Sequence, residues 1–179
     1  MNWVVYILIA AEILFWLVIA LGLISRYILR LNKLGLFFFA LTPLIDLTLI
    51  ITMSIDLLNG AKATLPHGIA AVYIGASIVF GKRMIQWADV RFKYYILKIG
   101  ELPVKKTGIT YAKKYFFDWL MHALAYVIGT VLLWIIILIV GQSGDVTALY
   151  NVIKLWTVIL TVDLLIALSN FIWLKPNKR

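Results

Sequence analysis

Cysteine is absent from this sequence. The chain therefore has no disulfide bond, thiolate metal site, cysteine nucleophile or iron–sulfur cluster. Histidine is nearly as scarce, because His67 and His122 are the only two. The apolar runs described below place these two at opposite ends of a membrane span, so one monomer cannot hold a haem between them.

The outer mouth of the predicted bundle offers Asp56 and His67 as candidate ligands. Two ligands without a third make a weak metal site. We therefore expect no metal and no cofactor.

Three catalytic motifs are missing as well. The sequence contains no G-x-x-x-x-G-K-[ST], no G-x-S-x-G and no H-E-x-x-H. Their absence argues against nucleotide-driven transport, serine hydrolysis and zincin proteolysis by this chain alone. We identify no catalytic residue, and an enzyme is the less favoured interpretation.

Acidic residues are few, with eight Asp and Glu against 17 Lys and Arg, and the net charge is +9. Apolar residues, in contrast, make up 64% of the chain, and the mean hydropathy is +0.99. Soluble domains are roughly half apolar, so this composition indicates a membrane protein. The 179 residues are about the length of one domain. We therefore predict a single transmembrane helical domain over residues 1–179.

Five apolar runs are near the ~20 residues that a helix needs to cross roughly 30 Å of hydrocarbon. The first run has no basic n-region and is too long for the apolar part of a signal peptide, so we interpret it as an uncleaved span. The predicted fold is all-α, a polytopic bundle of five transmembrane helices. The predicted spans are approximately 3–25, 34–58, 65–81, 119–140 and 149–174.

The distribution of positive charge predicts the orientation, because loops rich in Lys and Arg stay in the cytoplasm. With five spans and the N-terminus outside, fifteen of the 17 cations fall on the cytoplasmic side. Only Lys62 and Lys154 fall elsewhere. We predict an outside N-terminus and an inside C-terminus.

The longest basic segment, residues 82–118, follows the third span. Its first half, KRMIQWADVRFKYYILK, interleaves aromatic with basic residues, which is typical of a helix at the headgroups of an anionic leaflet. We predict a cytoplasmic interfacial helix there and no nucleic-acid partner, because so apolar a chain already has anionic lipids beside it. The cations predicted to contact lipid headgroups are Arg83, Arg91, Lys93 and Lys98.

Three acidic residues lie inside the apolar runs rather than at their ends. Glu12, Asp46 and Asp163 each fall in the middle third of a predicted span, with no Lys or Arg at that depth. A charged carboxylate is costly at the bilayer centre, so such a group takes up a proton unless water or a cation reaches it. These three are the candidates for a proton- or cation-binding site. Alternatively, each bonds a hydroxyl or carbonyl of a neighbouring helix and has a structural role.

The third run is rich in small residues. Ala71 and Gly75 form a small-xxx-small step that allows close backbone approach, so we predict that this helix is central to the packing. Tyr73 and Ser77, four residues apart, share one helix face and could direct polar groups toward the interior acids. Core packing with satisfied hydroxyls is the alternative for both.

At the inner end of the fourth run, His122 follows Asp118 by one helical turn. This spacing predicts an ordinary i,i+4 pair rather than a catalytic one.

Three stretches of the chain resemble a known family. The runs EILFWLVIALGLISRYILR, LTPLIDLTLI and HGIAAVYIGASIVFGKRMIQWADVRF are similar to small uncharacterised integral membrane proteins of Gram-positive bacteria, the YmcC-like type. The resemblance covers most of the first 95 residues and is weaker afterwards. It implies a multi-pass protein of the bacterial plasma membrane, but it supplies no activity or catalytic residue.

Three functions fit these residues. The first is a small transporter or channel-like protein in which the interior acids form a proton- or cation-responsive site. It would act as a homo-oligomer or with a partner membrane protein, since five spans cannot form two equal halves. The second is a non-transporting module that binds lipid or a partner protein. The third is an intramembrane lipid-modifying enzyme with Asp89, Asp118 and His122 as its acid–base set.

The topology can be tested by single-cysteine labelling, because the chain has no native cysteine. Cysteines placed at Asn2 and Gln142 should react with a membrane-impermeant thiol reagent applied to intact cells, whereas one at Thr107 should not. Labelling at Thr107 with protection at both other positions would reverse the predicted orientation.

Overall fold

The structure, a computed structural model, describes residues 3–59, 62–104, 106–140 and 145–174. The side chains of eleven helical residues also lie outside the description, at positions 3, 4, 8, 43, 46, 47, 49, 50, 53, 54 and 58.

The described chain forms five long helices and contains no strand. Each has at least 25 residues, or about 37 Å at 1.5 Å per residue, and so exceeds the hydrocarbon thickness of a bilayer. The helices are α1 Trp3–Tyr27, α2 Asn32–Leu58, α3 Leu65–Tyr95, α4 Gly108–Val140 and α5 Thr147–Ile172.

Four of these helices are long and apolar enough, over their described residues, to cross a membrane. They are α1 from Val5 onward, α3, α4 and α5. The second predicted span, residues 34–58, forms α2, and its membrane crossing stays a prediction. The all-helical class and a membrane-protein character therefore follow from the fold, since exposed apolar side chains such as Leu138 and Leu165 imply lipid contact.

The helices α3 and α4 extend beyond the predicted spans. α3 does not end at Gly81, because residues 82–95 continue the same helix, and α4 begins at Gly108 rather than Trp119. The basic aromatic segment predicted to lie at the interface therefore continues α3 as far as Tyr95, and its position at the headgroups stays a prediction. A single glycine weakens a helix by only about 1 kcal/mol relative to alanine.

Packing against α1 holds the C-terminal half of α3 in place. Met84, Ile85, Ala88 and Phe92 lie against a buried cluster on α1 centred on Ile19. Beyond Tyr95 the chain reverses through residues with positive φ, namely Lys98 at 56°, Gly100 at 83° and Gly108 at 56°. Glycine adopts this backbone conformation without steric cost, which explains the position of the turn.

α3 is the central helix, because it contacts each of the other four. A Cβ added at Gly75 would lie 2.6 Å from the carbonyl oxygen of Ala125 on α4. One added at Gly129 of α4 would lie 3.0 Å from the carbonyl oxygen of Ala71. The small-xxx-small step thus brings the two backbones together, and the prediction of a central packing helix is confirmed.

Substitutions at two glycines of α3 test this contact. Gly75→Ala should lower the free energy of unfolding by roughly 1–3 kcal/mol, because the new methyl group meets backbone that cannot move away. The matched control is Gly81→Ala, whose Cβ would have its nearest neighbour at 3.9 Å. Thermal unfolding in detergent measures both, and equal stability of the two variants would contradict the close packing.

Candidate functional site

The principal polar site joins α4 to α5. Nδ1 of His122 lies 2.7 Å from Oδ2 of Asp163. The His122 side chain is 50% exposed and that of Asp163 is 18% exposed. The ring of Phe80, on α3, lies 5.2 Å from the imidazole ring. A midplane acid predicted to lack a cationic neighbour therefore has an imidazole partner.

The predicted pair between Asp118 and His122 is wrong. Asp118 instead accepts a hydrogen bond from Nη1 of Arg83 at 3.0 Å and lies 3.4 Å from Nζ of Lys114. The physical reason is charge, because a carboxylate interacts more strongly with permanent cations than with a neutral imidazole.

The hairpin geometry of α4 and α5 explains why His122 meets Asp163. His122 lies 18 residues before the end of α4, and Asp163 lies 16 residues after the start of α5. Antiparallel helices joined by a short connection place residues at equal distances from it side by side. The same register brings the hydroxyls of Tyr126 and Thr157 to 2.7 Å. The His122–Asp163 pair can therefore be predicted from the sequence by counting residues in both directions from the connection between α4 and α5.

The His122–Asp163 pair lines a cleft of about 340 Å³ between α3, α4 and α5. A water molecule occupies about 30 Å³ in the liquid, so the cleft has room for several. Imidazole is the side chain whose ordinary titration lies between pH 5 and 8, and a carboxylate beside it can share its proton. The arrangement can therefore exchange protons. The other residues that line the cleft are Val72, Ala76, Phe80, Ala125, Trp156, Ile159 and Leu160.

The structure also brings Asp56 and His67 together. Nε2 of His67 lies 2.8 Å from Oδ2 of Asp56, and the imidazole is only 1% exposed. The backbone N–H of Thr64 donates to Nδ1 at 3.3 Å, which leaves Nε2 as the protonated nitrogen that donates to the carboxylate. The pair thus links the end of α2 to the start of α3. The described residues contain no cluster of three acidic, histidine or cysteine side chains suited to a metal.

Glu12 lies in a different part of the bundle from Asp163. Its Oε1 accepts a hydrogen bond from Nε1 of Trp16 at 3.1 Å, and it lines a cleft of about 320 Å³ between α1 and α3. Tyr73 lines the same cleft, whereas Ser77 lies elsewhere on α3. The two described acids therefore do not converge on one site. Asp46 lies on α2, and its side chain is outside the described part.

The four cations predicted to contact lipid have different surroundings. Arg83 is paired with Asp118, and Nζ of Lys93 lies 3.0 Å from Asp89. The guanidinium of Arg91 lies 3.8 Å above the ring of Trp87. Lys98 follows the end of α3 in the turn.

The acid–base set considered for a lipid enzyme does not assemble. Asp89 accepts a hydrogen bond from the hydroxyl of Tyr27 at 2.6 Å, Asp118 binds Arg83, and His122 binds Asp163. Each group has its own partner on another helix. The described geometry therefore gives the enzyme hypothesis no shared site.

Replacing Asp56 by asparagine tests whether the hydrogen bond or the negative charge of this carboxylate stabilises the protein. Asp56→Asn keeps an oxygen that can accept from Nε2–H of His67, so stability should change little. Asp56→Ala leaves this buried donor without a partner and should cost about 1–3 kcal/mol. Thermal unfolding in detergent distinguishes them, and an Asn variant as unstable as the Ala variant would show that the negative charge is required.

Comparison with known proteins reveals one full-length likeness. The chain is 50% identical over 178 residues to the "Uncharacterized membrane protein YmcC" of Bacillus subtilis (strain 168), a match that covers 99% of this chain and 96% of that protein. The similarity thus extends well beyond the first 95 residues. No protein-family model matches the sequence, and no solved structure matches it.

Proposed function

The chain belongs to the YmcC family of membrane proteins, and we propose that it is a small transporter or channel-like protein that responds to protons or monovalent cations through His122 and Asp163. The observation that carries the proposal is the position of this pair. A half-exposed imidazole and a carboxylate line a cleft within helices that are otherwise apolar. Ionisable groups inside membrane spans are expensive, so they usually mark ion or proton pathways.

The proposed topology has five spans, with α2 as the second and the N-terminus outside in the plasma membrane. Contacts of Tyr27 with Asp89 and of Arg83 with Asp118 place the end of α1, the inner half of α3 and the start of α4 together. Many of the cations cluster around this end, which favours the cytoplasmic side.

This topology puts the pair on the cytoplasmic side of the midplane. Asp163 lies 16 residues beyond Thr147 and nine before Ile172, or about 24 Å and about 14 Å from the two ends of α5. The path for water to the cleft is therefore shorter from the cytoplasm than from outside.

Proton exchange at the pair follows from its charge states. With one proton shared, imidazolium and carboxylate form a neutral pair, which the low-dielectric membrane tolerates. Loss of that proton leaves a carboxylate beside a neutral imidazole, with a net charge of −1. The cleft would then favour uptake of a proton or of a monovalent cation.

A polar stripe on α4 extends outward from the site. His122, Tyr126 and Thr130 repeat every four residues and so lie on one face. Tyr126 bonds Thr157, whereas the buried hydroxyl of Thr130 makes no hydrogen bond within the described part of the chain. Such an unsatisfied group supports a path along which water or a proton could be passed.

A second candidate function is a non-transporting module that binds a partner membrane protein or a second copy. The exposure of α5 favours it, because this is the least buried of the four described candidate spans. Its outward face presents Leu155, Val158 and Leu165. A module of this kind would not require proton movement at Asp163.

Proton flux distinguishes the two functions. Purified protein in liposomes that contain a trapped pH-sensitive dye should dissipate an imposed pH gradient. Asp163→Asn should slow the process at least about tenfold, because the amide cannot bind and release a proton. The matched control is Asp145→Asn, which retains an oxygen able to accept the backbone N–H of Thr147, now accepted by Asp145 at 2.9 Å.

The same variants can be followed by thermal unfolding between pH 5 and pH 8. Asp163→Asn should change the pH dependence of the unfolding temperature relative to the wild type, because the carboxylate that faces the imidazole of His122 is replaced by a neutral amide, whereas Asp145→Asn should leave it unchanged. Absence of flux above protein-free liposomes, with identical pH responses in all three proteins, would favour the module.

A further inference from the structure

A third cleft, which shares Phe80 with the cleft at His122 and Asp163, lies at the inner end of the groove between α1 and α3. Its volume is about 410 Å³, and it is lined by Trp16 of α1 and by Phe80, Arg83, Met84 and Trp87 of α3. The rings of Trp16 and Trp87 meet edge to face with centroids 6.5 Å apart. The walls are almost wholly apolar, so they suit a hydrocarbon chain better than water.

The mouth of this cleft carries one uncompensated cation. Two neighbouring cations of α3 are neutralised, because Arg83 pairs with Asp118 and Lys93 pairs with Asp89. Arg91 has no carboxylate partner in the described part of the chain. Its guanidinium instead lies 3.8 Å above the ring of Trp87.

The helical repeat connects this cation to the cleft. Phe80, Met84, Trp87 and Arg91 are separated by four, three and four residues, so they share one face of α3. A helical side chain points back toward the N-terminus, and Arg91 accordingly covers Trp87, one turn closer to the membrane centre. The positive charge of Arg91 therefore lies at the end of the apolar wall of the cleft.

We propose that this cleft binds one anionic phospholipid of the inner leaflet, with an acyl chain along Trp16, Phe80 and Met84 and the phosphate on Arg91. A planar guanidinium binds phosphate oxygens through two parallel hydrogen bonds, which an ammonium group cannot do. Tryptophan side chains favour the headgroup level, where Trp87 would lie.

Charge complementarity selects this occupant over a second copy of the chain. A second copy would need a free carboxylate opposite Arg91. Asp56, Asp89, Asp118 and Asp163 are already bonded to other side chains, which leaves the exposed Glu101 as the described candidate at this end of the bundle. The chain also carries a net charge of +9, so two copies repel one another. The headgroup of a zwitterionic lipid carries a positive charge that would lie near Arg91. An anionic headgroup has no such charge and is therefore favoured.

The proposal can be tested by fluorescence quenching in detergent micelles. The probes are phosphatidylglycerol and phosphatidylcholine with brominated acyl chains, which quench tryptophan on contact. The wild-type protein should be quenched at a mole fraction of phosphatidylglycerol about fivefold lower than that of phosphatidylcholine. Replacing both cleft tryptophans, in Trp16→Phe with Trp87→Phe, should remove the difference between the two lipids and leave the quenching that both cause at other exposed tryptophans such as Trp134 and Trp173.

Two single substitutions locate the charge that selects the lipid. Arg91→Gln should abolish the difference between the two lipids, and the fold should survive because the substitution removes only the cation–π contact with Trp87 and no described ion pair. The matched control is Lys82→Gln, an exposed cation of the same helix that does not line the cleft, and it should retain the preference.

Three results would overturn the proposal. The first is an unchanged preference in Arg91→Gln. The second is an equal loss in Arg91→Gln and Lys82→Gln, which would indicate diffuse attraction to the whole basic surface. The third is release of phosphatidylglycerol by millimolar inorganic phosphate, which would identify a free anion as the ligand.

Discussion

The close contact between the backbones of α3 and α4 determines the rest of this structure. Within a membrane the apolar side chains of two helices gain little from meeting, since lipid is equally apolar, so association depends on packing and hydrogen bonds. Gly75 and Gly129 allow that packing. Once α4 is held against α3, the α4–α5 hairpin places Asp163 beside His122, and α1 closes the other side of α3.

The second constraint is electrostatic, because an unpaired carboxylate is costly in a low-dielectric environment. Every aspartate with a described side chain has a hydrogen-bonding or ionic partner. The partners are His67 for Asp56, Tyr27 and Lys93 for Asp89, Arg83 and Lys114 for Asp118, the backbone of Thr147 for Asp145, and His122 for Asp163. Most of these bonds join different helices, so they also determine the register of the bundle.

The sequence predicts the helices well and their ends less well. Apolar length and small-residue spacing are local properties, so the five helices and the central role of α3 could be inferred from them. The end of α3 could not, because its C-terminal half is stabilised by tertiary contact of Phe92 and Met84 with α1. The partner of Asp163 depends on the connection between α4 and α5, which determines the residue of α4 that it meets. The depth of Asp163 within its own span does not contain that information.

The two histidines show how burial separates a structural role from a chemical one. Both bond an aspartate at nearly the same distance, but His67 is enclosed and the backbone of Thr64 determines its tautomer. Any change in its protonation would break a bond between helices. His122 is half exposed beside a cleft that has room for water, and this accessibility is what the proposed proton exchange requires. One histidine–aspartate pair is therefore enclosed at the start of α3, and the other is open to a cleft between α3, α4 and α5.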